Sequence, residues 1–565
     1  MTAGDLGRGA RPYGLPGFAR SPVFGANGMA ATAQPLASQI AIDILKAGGS
    51  AVDAAIAANA ALGLMEPCSC GLGGDLFAIV WDPETSQLCG YNGSGRSPKS
   101  RSLEEMKKKA GDSALVPPLG SFSVTVPGTV DGWFALHDQL GRLPMHDVLA
   151  PAIAYAKDGF PVSPVIAAAW ADEMAGLEEA GDVIEELDNA RHTFLPEGRA
   201  PRAGEIFRNP DLAATLELLA WSGREAFYRG EIAERIDRYM KRIGGDLKLA
   251  DFEDHLGEWV KPGTVSYRGF EVHELPPNGQ GYGVLQMLNI LKNVELAQWS
   301  RGSAEVFHYM VEAKRLAFED LAKFYGDPAF YDPPLEDLLS EAYGRARFGL
   351  IDAARAMPSP APGEPAIEGR GDTTYLTVAD KSGLMVSLIQ SPYLGFGSGL
   401  VPDGLGFMLQ CRGALFSLKD ESPNLYAPGK RPFHTIIPGF VTRDGKPYMS
   451  FGVMGGSMQA QGHVQVLVNI LEYGMDLQAA GDAARFFHHG GHQPTGEAAD
   501  PLGVLQVEPG VAAETVAGLR AMGHTVEVVD DGLVFGGYQA IRRDPETGIY
   551  EGATEMRKDG LAIGY

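Results

Sequence analysis

Asp372-Thr373-Thr374-Tyr375-Leu376-Thr377-Val378-Ala379-Asp380 alternates in character and is rich in Thr, Tyr and Val, the composition of a β-strand. Lys381-Ser382-Gly383 reads as a turn and Leu384–Gln390 as a second strand, so the pair predicts a hairpin. Immediately before it, residues 356–372 are rich in Pro, Gly and Ala, as in Met357-Pro358-Ser359-Pro360-Ala361-Pro362-Gly363, and read as an exposed linker. A linker thus runs straight into a strand that opens with threonines. Threonines are common at strand starts, so on these residues alone a structural role is the plainer reading.

A catalytic role needs more than a hydroxyl, because threonine holds its proton tightly. A base beside it changes that. A chain terminus supplies one, since an α-amino group titrates near pH 7.7–8.0. Cleavage between Asp372 and Thr373 would create that terminus by attack of the Thr373 hydroxyl on its own preceding carbonyl. The oxyanion formed on the way requires facing N–H donors. Gly455-Gly456, after the strand-like Pro447–Val453, offers unhindered backbone amides.

Other chemistries find less support. No Gly-x-Ser-x-Gly elbow is present. Cys68-Ser69-Cys70 lacks a second Cys/His pair at zinc spacing and reads as small buried thiols. His488 and His492 are four apart, but Gly490-Gly491 between them disfavours the helix that would align them. No metal is expected. Gly71-Leu72-Gly73-Gly74 lacks both the Lys-Ser/Thr of a phosphate loop and the dinucleotide fingerprint, and reads as close backbone packing.

Further out, residues 35–64 predict two helices broken at Gly48-Gly49, with Ser50 and Asp53 as a capping pair for the second. Leu76–Trp81, Thr435–Thr442 and Thr525–Val529 read as strands. Residues 130–350 read as mostly helical, with amphipathic stretches at Val148–Ala156, Asp211–Leu219, Gly283–Leu291 and Ala304–Ala322. Pro276-Pro277-Asn278-Gly279-Gln280-Gly281 forms an irregular loop among them.

The 565 residues carry 47 Lys and Arg against 71 Asp and Glu, a net charge of −24 that argues against nucleic-acid binding. Four cysteines are too few for a disulfide scaffold. Residues 1–27 read as a loose arm with no apolar run of signal-peptide length, and no run of about 18 apolar residues occurs elsewhere. The expectation is a cytoplasmic protein without a membrane partner.

These motifs, in order, resemble the γ-glutamyltransferase (glutathione hydrolase) family of N-terminal-nucleophile hydrolases. The resembling segments include Gly48-Gly49-Ser50-Ala51-Val52-Asp53-Ala54-Ala55, Gly71-Leu72-Gly73-Gly74, Val126-Pro127-Gly128-Thr129-Val130, Thr373-Thr374, Phe396-Gly397-Ser398-Gly399, Lys430-Arg431-Pro432, Gly455-Gly456-Ser457 and Gly564-Tyr565. The resemblance implies an α+β fold, a four-layer αββα sandwich. It implies cleavage between Asp372 and Thr373 into a large piece ending at 372 and a small one, 373–565, held together as a heterodimer. Thr373 would be the nucleophile and Gly455 and Gly456 the oxyanion donors. Ser391 would bond the nucleophile. No cofactor is implied; the partner is a small-molecule amide.

Positions that read glutamate in the family are changed. Ser94 stands where the carboxylate-binding arginine is expected, with Arg96 two residues on. Tyr393 and Leu415 stand where the α-amino group is bound, and His434-Thr435 where a serine pair is expected. Arg412 is a further cation near these positions in sequence. The segment between Phe416 and Lys430 is shorter than in members with a lid loop. Two substrates stay open: γ-glutamyl or related acyl amides such as glutathione, or a small carboxylated amide of the kind taken by the oxamate amidohydrolase and cephalosporin-acylase-like branch. A processed binding protein without activity is the reading from another class, and the presence of Thr373 and Gly455-Gly456 stands against it.

Overall fold

The structure is a computed structural model that describes residues 20–113, 115–360, 372–491, 494–496, 500 and 502–565, without the Asp372 side chain. Within the first half of the chain, strands β1 (Val23–Gly25), β2 (Gly28–Thr32), β3 (Asp75–Asp82), β4 (Gln87–Asn92), β5 (Glu258–Val260), β6 (Gly263–Tyr267) and β7 (Phe270–Glu274) enter the two main sheets. The second half adds β8 (Asp372–Asp380), β9 (Met385–Tyr393), β10 (Gly439–Arg443), β11 (Lys446–Val453), β12 (Tyr538–Arg543), β13 (Tyr550–Thr554) and β14 (Leu561–Gly564).

One seven-stranded sheet has the order β14-β2-β8-β9-β3-β4-β5, and the other β1-β13-β12-β11-β10-β7-β6. Every pairing in them is antiparallel. Strands from before and after Thr373 pair directly in both sheets, β2 with β8 and β14, β3 with β9, β1 with β13 and β7 with β10, so both parts of the chain contribute to each core.

Side chains of β8 divide by the strand's two-residue period. Tyr375 and Ala379 join Phe77, Ile389, Phe440 and Ile541 in the layer between the sheets. Leu376 and Val378 face the other way, onto helices α1 (Pro35–Lys46) and α2 (Ala51–Met65). On the far side, α3 (Gly281–Leu291), α4 (Ala304–Phe324) and α5 (Met458–Leu467) pack against Val272, Val441, Phe451 and Ala540 of the second sheet. The result is the four-layer αββα sandwich. Buried on both faces, β8 carries no exposed side chain from Thr373 to Ala379, and the threonines at 373, 374 and 377 need partners inside the protein.

The helix pair forms as its sequence predicts. Ser50 accepts from the Asp53 amide and Asp53 accepts from the Ser50 amide, closing a capping box. Gly73 and Gly74 confirm the close-packing reading: a Cβ on Gly73 would stand 1.9 Å from the Met408 carbonyl oxygen, and one on Gly74 2.7 Å from that of Ser391.

Two expectations change. Residues 23–25 are not part of a loose arm, because they pair with 550–552 at the sheet edge; three residues are too short to show a period. The 130–350 region is mostly helical as expected, and β5, β6 and β7 extend both sheets from within it. Thr435–Thr442 is a strand only from Gly439, because Thr435 and its neighbours bond to side chains and loops instead of a ladder. The linker lies partly outside the described residues, and its start is tied down: Ala356 donates to Met522 O and Met357 to Glu312.

Candidate active site

Thr373 stands one residue into β8, at a break in its pairing with β9. Asp372 pairs with Tyr393 and Thr374 with Gln390, so Thr373 faces two residues, Ser391 and Pro392. Such a bulge re-aims a side chain at a sheet rim. Pro392 has no N–H to give the ladder, which suits it to the bulged position. The Thr373 side chain is buried, and Gln459 Nε2 reaches its Oγ1 at 3.4 Å. Gln459 is itself fixed, because its Oε1 accepts from the Ile437 amide at 3.0 Å. The next threonine points elsewhere: Thr374 Oγ1 donates to Glu66 Oε2 at 2.8 Å.

Gln459 lies in the first turn of α5, and the turn that feeds this helix is Gly455-Gly456. Both glycines have positive φ, +115° and +58°, a conformation costly for any residue with a Cβ. Their carbonyls are used, by the Met458 and Gln459 amides, and Gly456 O also accepts from Gln280 Nε2 at 3.0 Å. Among the described residues neither glycine N–H has an acceptor in the protein. Two open N–H groups at a helix N-terminus favour negative charge. The Gly455 and Gly456 amides thus sit on the same helix end that contacts Thr373.

Across β9 the next strand brings Asp75 into register with Ser391. Asp75 Oδ1 accepts from the amides of Gly95 and Gly128, each at 3.1 Å, and from Gln410 Nε2 at 2.9 Å. Its Oδ2 meets His434 Nε2 at 3.1 Å. The His434 Nδ1 accepts from the Ile436 amide, which places the ring proton on Nε2, donating to Asp75. Burial pushes Asp75 up to about 7 against the pull of Arg412 and of these donors, and holds His434 well below its ordinary range. Asp75→Ala takes an acceptor from four buried donors, two of which, the Gly95 amide and His434 Nε2, bond only to it among the described residues. We expect it to lower stability by about 3 kcal/mol, read as a fall in the urea midpoint.

Arg412 opens a short 3₁₀ turn, Arg412–Leu415. Its Nη2 donates to Ser391 Oγ at 2.8 Å and its Nη1 to Thr435 Oγ1 at 2.9 Å. Tyr393 gives its amide to Ser391 Oγ at 2.9 Å and sets its ring 5.0 Å from the guanidinium. Thr373, Ser391, Tyr393, Arg412, Thr435 and the Gly455-Gly456 turn therefore gather in one place. His434 joins them through Asp75 but spends both ring nitrogens on protein partners.

Arg96 is engaged elsewhere. It lies 3.3 Å from both Asp327 and Glu258 and donates to Gly429 O, so it does not reach this cluster as a free cation. Asp372 begins the strand, its side chain outside the described residues. Of the discounted histidines, His488 sits on a strand between Lys314 Nζ and Leu502 O, and His492 lies outside the described residues. Cys68, Cys70 and Cys411 are buried, as small thiols in the core.

Reading the sequence missed Asp75, Gln280, Gln410 and Gln459. Asp75 did leave a signal: an acid opening the apolar run Leu76–Trp81, where β-propensity disfavours it. The glutamines left none, since each works through an amide whose partner is far along the chain.

The gamma-glutamyltranspeptidase family model matches residues 37–565. The chain belongs to that family. Members of the gamma-glutamyltranspeptidase family similar to it include the glutathione hydrolase-like YwrD proenzyme of Bacillus subtilis, 38% identical over 96% of this chain and 99% of that one. The oxamate amidohydrolase proenzyme of Klebsiella pneumoniae is 36% identical over 95% of this chain and 98% of its own. Among solved structures, cephalosporin acylase from Bacillus halodurans superposes with a TM-score of 0.90 at 42% identity, covering 98% of both chains. The chain is accordingly an enzyme of the N-terminal-nucleophile hydrolase class, in the branch that holds these amidohydrolases and acylases.

Proposed function

We propose that the chain is an autoprocessing threonine amidohydrolase acting on acyl amides. The observation that carries this is Thr373, at the bulged start of a buried strand, contacted from the helix end that presents the Gly455 and Gly456 amides. The names of similar proteins as proenzymes support a maturation step. In that step Thr373 Oγ attacks the Asp372 carbonyl carbon. The peptide C–N bond breaks, leaving Asp372 esterified to the hydroxyl and the α-amino group free. Water hydrolyses the ester, giving the Asp372 carboxylate and restoring the hydroxyl.

The mature enzyme repeats the chemistry on substrate. The neutral α-amino group of Thr373 takes the hydroxyl proton as Oγ attacks the amide carbonyl. The Gly455 and Gly456 N–H groups receive the oxyanion. The amine leaves with the proton, and water releases the acid from the acyl-threonine. Gln459 holds Oγ by donating to it, which leaves a lone pair for attack. Ser391, at the bulge opposite, is held by Arg412 and the Tyr393 amide.

Substrate choice follows from what Tyr393 and Leu415 lack. A γ-glutamyl group brings an ammonium that must be paired as it leaves water, and neither residue is anionic. Leu415 is buried in an apolar cluster. The supported substrate is therefore an amide with a carboxylate and no amino group; γ-glutamyl amides, glutathione among them, are the second reading. Glutaryl p-nitroanilide and γ-glutamyl p-nitroanilide differ by the amino group alone. The glutaryl compound is expected to have the higher kcat/KM by about tenfold or more, and a tenfold preference for the glutamyl compound would return the enzyme to the γ-glutamyl reading.

A further inference from the structure

We propose that Arg412 is an anion subsite beside the nucleophile, binding a carboxylate on the acyl portion of the substrate. The proposal rests on the reading of Thr373 as nucleophile and adds the residue that selects the substrate.

The guanidinium is fully buried, yet its two hydrogen-bond partners are neutral hydroxyls, Ser391 Oγ and Thr435 Oγ1. Its Nε has no acceptor, and no carboxylate of the described residues lies within ion-pairing distance. Arg485, also fully buried and without an ion pair among the described residues, gives its Nη groups to three backbone carbonyls, whereas Arg412 meets only hydroxyls. Two other buried arginines hold carboxylates. Arg557 holds Glu508 and Glu555, and Arg315 holds Glu312, each at 2.9 Å or less. A buried cation without a counter-charge is unfavourable. Asp75 attracts Arg412 from farther off, but its oxygens already serve Gly95, Gly128, Gln410 and His434. Burial lowers Arg412 to about 10, which leaves it charged at neutral pH.

The position suits a substrate. Ser391 Oγ connects Arg412 to the β9 bulge that faces Thr373, and Thr435 connects it, through Gln280, to Gly456. The Nε–H and a second Nη2–H form an edge that matches the two oxygens of a carboxylate. A substrate anion there completes the pairing the protein leaves open, while an ammonium is repelled.

The test compares glutaryl p-nitroanilide with pentanoyl p-nitroanilide, which ends in a methyl group in place of the carboxylate. Wild-type protein, Arg412→Gln and Arg412→Lys are assayed, and a denaturing gel records cleavage of each. The wild type is expected to prefer the glutaryl compound by about 100-fold in kcat/KM. In Arg412→Gln the preference falls to within about threefold, and Arg412→Lys keeps part of it, as a point charge without the planar fork. Equal rates on both anilides in the processed wild type overturn the proposal even where a variant fails to mature. So does an undiminished preference in processed Arg412→Gln. A wild-type chain that stays uncut, or is cut and attacks neither anilide, contradicts the Thr373 reading itself and removes the ground for the subsite.

Discussion

Thr373→Ala is expected to persist as one uncut chain without amidase activity. The substitution removes the only atom that attacks in both the maturation step and the turnover step, so neither can begin. The fold should survive it. Thr373 lies at the start of β8, where Gln459 reaches its Oγ, and the shared cores of the two sheets lie beyond it. Circular dichroism and the thermal midpoint should stay close to those of the uncut precursor. Thr373→Ser keeps the hydroxyl and should mature, more slowly, because the serine side chain loses the methyl group that restricts its rotamers. Cleavage of the alanine variant at the same bond would assign maturation to another agent.

Gly455→Ala is expected to lower kcat by about 100- to 1000-fold, the range found when one oxyanion donor is displaced. Two features force the displacement. Gly455 has a φ of +115°, where a Cβ is strained in any surroundings. That Cβ would also stand 3.1 Å from Gly536 Cα, a tight approach to a backbone atom that cannot swing aside. The turn must shift, and the two amides move with it. KM should change by less, since the donors act on charge that develops in the transition state. Maturation should slow as well, since in the proposed mechanism the same amides receive the oxyanion formed at the Asp372 carbonyl. A variant with unchanged kcat would take the oxyanion role away from this turn.

Much of this was legible in the sequence. The hairpin at 372–393 and the α1–α2 pair carry strong local signals, in composition, period and capping residues, and the fold forms them with boundaries moved by a few residues. The Gly73-Gly74 packing was readable because two adjacent glycines in an apolar context bring no side chain of their own and so admit a neighbouring backbone. The edge strand at 23–25 was not, since its identity depends on a partner more than 500 residues away. The same is true of the site's frame. Asp75, Gln410 and Arg412 come together through sheet register and a loop crossing, and no spacing along the chain encodes that. Arg96 shows the converse. Its sequence position suggests a substrate contact, but Asp327 and Glu258, themselves distant in sequence, take up its charge.

The central claim is that the chain cuts itself before Thr373 and works with the terminus so made. Intact-mass analysis of the purified protein, with N-terminal sequencing of the smaller species, tests it most directly. Two fragments that co-purify are predicted, the smaller beginning Thr373-Thr374-Tyr375 and ending at Tyr565, with amidase activity appearing in step with them. A single uncut chain that hydrolyses amides, or a small fragment whose first residue is not Thr373, would contradict it.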